Sequence, residues 1–431
     1  MPSTPSPHDA SRHAADAVKL PWPQRPAVGA AVAIVLVAYP ALLLLVRGAV
    51  NTAQILLALG GIAMLTAMPA ARTPPAQRAA VRAWVAAMLG VAAATLLSQW
   101  VHGVWIWRHD DAPARFMLGI PVYFALRRID LRRLAALQYG LVGGALLIAL
   151  GLVVAPHRDP FGRLSTGFID LITFGDTALM LGVLAALSIG WLGPEPRWRL
   201  VLKLAALVAG LYASVVSGSR GGWLALPLFL GIGLAGGARR GDLRRLGWIG
   251  IGTLALVALA YWRMPELHQR IDLVLSDLRA FRHGDPDTSV GIRLQLWRAA
   301  LHLWAQQPWF GLGPGGFKAA MTSMQHAGWL TPLAAQYGRG EVHNEILDKA
   351  CALGVPGLIA ILALYLVPAT IFARRLRGAS AVPARMGLAL TLGFMVFGLT
   401  VETFDLKMNA AFYALSGAVL LAATLRPAHE P

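Results

Sequence analysis

Residues 134–155 read LAALQYGLVGGALLIALGLVVA, with no charged side chain, and the residues before them, Arg127 to Arg133, read RRIDLRR. A run of about 20 apolar residues spans a bilayer as a helix, because lipid offers no partner to backbone N–H and C=O groups outside a helix. A basic cluster against one end of such a run marks the cytoplasmic side. Outward from this stretch the same pairing repeats along almost the whole chain of 431 residues. Hydrophobic residues make up 57% of it and charged residues 14%, where soluble domains carry about 25% charged residues. The sequence therefore predicts an α-helical membrane protein.

Spans are read at 27–46, 50–69, 83–101, 114–126, 134–155, 171–192, 200–217, 222–237, 246–263, 346–372, 386–402 and 408–425. The fourth is short and contains Pro121. The basic clusters fall in alternate loops: Arg72, Arg78 and Arg82; Arg127, Arg128, Arg132 and Arg133; Arg197 and Arg199; Arg239, Arg240, Arg244 and Arg245; Arg374, Arg375, Arg377 and Arg385. All of them reach one side only if the span number is even and both termini are cytoplasmic. That placement also accounts for the net charge of +17 without nucleic acid, since topology explains the arginines. Residues 1–26 form a polar cytoplasmic tail without a cleavable signal pattern, and the first apolar run is long enough to be retained. The rest divides into 27–263 (spans one to nine), 264–342 (a periplasmic loop domain), 343–425 (spans ten to twelve) and a tail at 426–431. Cys351 is the single cysteine, which excludes an intramolecular disulfide and a cysteine-based metal cluster.

The long loop up to Val342 is rich in Trp, His and Arg, and carries helix-like stretches punctuated by Gly and Pro. Loops of that length in compact proteins are functional more often than not. Three segments on its side of the membrane could carry chemistry. In Ser217-Gly218-Ser219-Arg220-Gly221-Gly222, small residues make a tight turn, and Arg220 stands where the positive-inside rule disfavours it. Exposed main-chain N–H groups and a guanidinium suit phosphate. A helix follows at Val290–Trp304, with Leu296, Ala300, Leu303 and Trp304 on its packing face. Arg293 and Trp297, four residues apart, share a face, and Arg293 is the second phosphate-binding candidate. The helix ends at Pro308-Trp309-Phe310-Gly311-Leu312-Gly313. In Glu341-Val342-His343-Asn344-Glu345, where the loop re-enters the membrane, a neutral imidazole suits proton removal near neutral pH. Two acidic groups, Asp285-Pro286-Asp287 and His109-Asp110-Asp111, read better as solvated turns than as metal sites. Asp176, inside an apolar span, needs a partner there.

These segments in this order resemble the O-antigen ligase and polymerase superfamily of bacterial inner-membrane proteins. The residues that carry the resemblance are Ser219-Arg220-Gly221, Arg293 with Trp297, Gly311-Leu312-Gly313, His343-Asn344 and Leu353-Gly354-Val355-Pro356-Gly357. The match covers a minor part of the chain, while the topology extends over all of it. The resemblance implies an all-α, GT-C-like integral membrane protein of about 12 transmembrane helices, with a large helical periplasmic loop between the ninth and tenth. It implies a glycosyltransferase that moves O-antigen from undecaprenyl pyrophosphate to the lipid A-core, inverting, with no cofactor and no metal. His343 would be the catalytic position, and Arg220 and Arg293 the pyrophosphate-binding ones. Ser219, Trp297, Arg339, Asn344 and Arg163 are second-rank contacts. An O-antigen polymerase or a protein O-oligosaccharyltransferase would use the same donor. A lipid-linked glycan transporter needs a polar path through the bilayer, and the nearly charge-free spans argue against one.

Overall fold

The computed structural model describes residues 26–67, 74–160, 162–235, 272, 276–277, 279–338 and 340–426. The stretch read as the ninth span, the arginines at 239–245, Arg72 and Arg339 lie outside the described residues. The chain is a multi-pass helical membrane protein. Its helices are α1 (Pro26–Leu42), α2 (Ala49–Ala67), α3 (Pro75–His102), α4 (Asp111–Leu126), α5 (Leu137–Val154), α6 (Leu171–Leu187), α7 (Arg197–Val216) and α8 (Leu226–Ala235). They continue with α9 (Ser289–Gln306), α10 (Gly316–His326), α11 (Pro332–Gly338), α12 (Glu345–Ala373), α13 (Ala381–Phe397) and α14 (Lys407–Thr424). Among the described residues, 5 helices are long and apolar enough to cross a membrane. The short fourth apolar stretch is the helix α4, which continues through Pro121.

The bundle is organised around α14. Every residue from Asn409 to Thr424 is buried, so this helix is hydrophobic all round, as an enclosed helix must be. Phe404, Phe412 and Tyr413 pack against Phe116 of α4, Tyr365 of α12 and Phe394 of α13, with Phe404 and Phe394 stacked at 5.5 Å between centroids. Small residues bring other helices close. A Cβ on Gly182 of α6 would stand 2.8 Å from Ala206 O, and one on Gly210 of α7 would stand 2.6 Å from Ala178 O. This is the close backbone approach through which helices associate in lipid.

A second, smaller apolar cluster holds the long loop together: Leu296, Ala299, Ala300 and Leu303 of α9 gather with Phe317 and Met321 of α10, Ala334 of α11, Val342 and Cys351. The loop is fastened to the bundle at a break in α12. Gly354 has φ 69° and ψ −156° inside that helix. The turn after α9 fits the gap: Leu312 N–H donates to Cys351 O (2.9 Å), Gly313 N–H to Ala352 O (3.0 Å) and Val355 N–H to Pro308 O (2.8 Å). The end of α3 joins in, since Ser98 Oγ donates to Phe310 O (3.1 Å) and His102 Nε2 lies 3.1 Å from Gly311 O. A Cβ on Gly354 would meet Trp309 O at 2.4 Å. Gly354→Ala therefore combines a left-handed φ with a backbone clash, and should cost about 2–4 kcal/mol of stability. A fall in Tm, read in detergent by loss of helical signal, checks it; an unchanged Tm would mean that the break is not held by this turn.

Candidate active site

The turn after α7 is built so that one side chain faces out and its neighbour faces in. Gly218 takes φ 73°, which lets the chain reverse without a Cβ penalty. Ser219 is buried and donates its hydroxyl to Asp176 Oδ1 of α6 at 2.6 Å, and the Gly222 main chain bonds the same carboxylate. Asp176, which needed a partner within its apolar span, thus has two. Ser219, expected as a ligand contact, instead ties the turn down. Arg220, next in sequence, is exposed. Arg163, from the short antiparallel pair His157–Arg158 and Leu164–Ser165, lies against Gly218 and pairs with Asp159 at 2.7 Å.

Opposite this turn stands α9. Thr288 caps it by accepting the Gly291 N–H at 3.1 Å, and Gln295 ties it to Pro286 O (2.9 Å) and Thr331 N–H (2.9 Å). With Leu296, Ala300 and Leu303 facing the loop core, Arg293 is left partly buried on the flank. Trp297 packs on the same cluster, with its Nε1 enclosed and without an acceptor among the described residues. Burial, and after it the charge of Arg220, holds the Arg293 guanidinium below its ordinary range. Two cations far apart in sequence are thus brought within electrostatic reach of each other. An arginine stays protonated regardless, and two guanidinium groups placed in this way suit an anion between them.

His343 completes the set. Its φ of 55° is the single positive value at a non-glycine position among the described residues, a conformation that is uncommon outside glycine. Both its own N–H (3.2 Å) and that of Val342 donate to Glu402 Oε1. Its Nδ1 lies 3.6 Å from Glu341 Oε2. Asn344, expected to touch a ligand, caps α12: its Oδ1 accepts from Ile346 and Leu347 N–H, both at 3.1 Å. The Arg220 turn and the His343 loop both reach the loop between α13 and α14. A Cβ on Gly221, beside Arg220, would stand 2.2 Å from Thr400 Oγ1, and Glu402, two residues on, holds His343. Glu402 escaped the sequence reading, where it closed an apolar run. The signal available was a pair of carboxylates, Glu402 and Asp405, in a short loop away from the arginine clusters.

Behind His343 lies an ionic cluster. Lys349 Nζ stands 3.2 Å from Glu345 Oε1, 2.8 Å from Asp348 Oδ2 and 3.2 Å from Asp405 Oδ1. The three carboxylates come close enough together to surround a cation, and the lysine ammonium is that cation here. The fully buried Glu345 also accepts the Phe404 N–H at 2.8 Å. Lys349→Met would leave buried carboxylates uncompensated, and such breaks cost about 3–5 kcal/mol. Unfolding in detergent should show a correspondingly lowered Tm; an unchanged one would mean the carboxylates do not depend on Lys349. The acidic pairs seen in the sequence serve local structure. Asp285 Oδ1 accepts Asp287 N–H (3.2 Å), Asp287 bonds Thr331, Asp110 Oδ1 accepts from Gln99 Nε2 (2.7 Å), and Asp111 pairs with Lys407 at 3.3 Å.

A polar turn presents Arg220, a helix within its electrostatic reach presents Arg293, and a strained loop held by Glu402 presents His343. Residues 205–362, which contain all three, match a family model described as O-Antigen ligase. Over that stretch the match is to the family that the sequence resembles. Enzymes of this family are glycosyltransferase-like and act on lipid-linked glycans. A protein of Haemophilus influenzae named "Uncharacterized protein" is 24% identical over 278 residues, covering 62% of this chain and 67% of its own length.

Proposed function

We propose that this protein is an O-antigen ligase of the bacterial inner membrane, with both termini cytoplasmic and the site of Arg220, Arg293 and His343 facing the periplasm. Its donor is O-antigen on undecaprenyl pyrophosphate and its acceptor the lipid A-core oligosaccharide. What supports the reading is that Arg220 and Arg293, carried by separate segments, lie within electrostatic reach of each other, an arrangement that suits an anionic diphosphate. In the reaction an acceptor hydroxyl oxygen attacks the anomeric carbon. The bond from that carbon to the pyrophosphate oxygen breaks, and the electron pair leaves with the undecaprenyl pyrophosphate. The hydroxyl proton passes to His343. Fixed guanidinium groups stabilise charge where it develops, without needing to reorganise. Single displacement inverts the anomeric centre. Trp297 and Arg163 are proposed as further contacts to the glycan.

The test is transfer in detergent from undecaprenyl-pyrophosphate glycan to lipid A-core, with and without EDTA. Product formed equally in both supports a metal-independent ligase. Product lost in EDTA would unseat the arginine-only mechanism. Absence of product with lipid A-core, but transfer to a growing glycan or to a pilin-type protein, would reassign the acceptor and leave the donor chemistry standing.

A further inference from the structure

We infer that Glu402 is a positioning residue, which holds the imidazole of His343 in place by clamping the main chain on which it sits. The inference rests on reading His343 as the base. Its geometry is independent of that reading. One oxygen, Glu402 Oε1, accepts the N–H groups of two successive residues, Val342 and His343, and the second of these has the left-handed backbone. A non-glycine held in that region stores strain, and persists only where its surroundings over-determine it. Here the surroundings are that carboxyl on one side and the capped start of α12 on the other, where Glu345 N–H donates to Gly398 O at 2.7 Å. Glu402 is itself buried and reaches His343 from a loop separated from it by two whole helices, α12 and α13.

The side chain of Glu402 has a second interaction. It makes a side-chain hydrogen bond to Asp405, whose carboxylate is tied to Lys349 at 3.2 Å. Two carboxyl groups can share a hydrogen bond only if one carries the proton. Burial, with the nearby charges of Asp348 and Asp405, pushes Glu402 well above the usual carboxylate range, while Lys349 helps to hold Asp405 below it. The proton therefore sits on Glu402: its hydroxyl oxygen donates to Asp405 and its carbonyl oxygen accepts the two main-chain N–H groups. A glutamine reproduces that pattern, with a carbonyl that accepts and an amide N–H that donates. An aspartate keeps the charge type but withdraws the acceptor by one methylene.

The experiment compares Glu402→Ala, Glu402→Asp, Glu402→Gln and His343→Ala in the reconstituted transfer reaction, with initial rates taken against donor concentration and a thermal melt of each protein. Displacing a reacting group by about 1 Å costs on the order of 10²-fold in rate, so kcat should fall by that factor in Glu402→Ala and Glu402→Asp. KM for the donor should stay unchanged, because the arginines are untouched. Glu402→Gln should restore wild-type kcat. Wild-type kcat in Glu402→Asp overturns the inference, and so does a Glu402→Gln protein as slow as the others. If Glu402→Ala does not fold, Glu402→Asp against Glu402→Gln decides alone. A fully active His343→Ala protein would defeat the base assignment itself. An inactive one beside a fully active Glu402→Asp protein defeats only the role of Glu402.

Discussion

Replacing His343 by alanine should lower the turnover of glycan transfer by about 10²–10⁴-fold at neutral pH, the usual contribution of a general base. KM for the lipid-linked donor should hold, since nothing that would bind its diphosphate has been removed. The fold should survive. Glu402 grips this loop by its main chain, Asn344 caps α12 with its own side chain, and neither contact uses the imidazole. Initial rates across a donor series, with a thermal melt of the same sample, read both quantities. A variant with wild-type turnover would remove the imidazole from the mechanism. One that melted early would show the side chain to be part of the scaffold.

Arg293→Ala should act in the opposite sense on stability and on activity. Loss of one preorganised donor to developing charge costs about 10²–10³-fold, so transfer should fall by that factor. The ligand-free protein, relieved of a cation that burial and Arg220 both disfavour, should melt no lower than wild type. Inorganic pyrophosphate should raise the Tm of wild type by binding the folded state and leave that of the variant unmoved. Arg293→Lys should restore only part of the activity, because an ammonium lacks the planar fork that fits a phosphate with two bonds. A variant that is both less stable and fully active would make Arg293 a structural residue. Residues kept at a cost in stability are the ones that functional sites tend to retain.

The helical, membrane-embedded character of the chain was readable because lipid leaves the backbone few alternatives, so composition over about twenty residues suffices. The turn at Arg220 and the helix at Arg293 were readable for a related reason: arginines stood where topology gives no cause for them. The contacts between distant segments were not readable. Nothing near Asp176 in sequence announces Ser219 as its partner. Pro308 to Gly313 looks like any loose turn until the break at Gly354 supplies the carbonyls it bonds. The capping role of Asn344 was legible as well, since an asparagine directly before an apolar helix with an acidic first turn is a capping signal. That of Glu402 was not, because its importance lies in two main-chain N–H groups reached across two helices.

The enclosed helix α14 also bears on how such a chain is made. Segments are delivered to a membrane in the order of synthesis, N-terminal first, and α14 is the last described helix to leave the ribosome. Its neighbours α2, α4, α12 and α13 therefore insert around a space that stays vacant until α14 is made. Until then their inward faces, Phe116, Tyr365 and Phe394 among them, lack the aromatic partners they meet in the finished bundle. A product that stops ahead of residue 407 should therefore expose those unfilled faces and be degraded faster than one that contains α14, which a pulse-chase of the two would read.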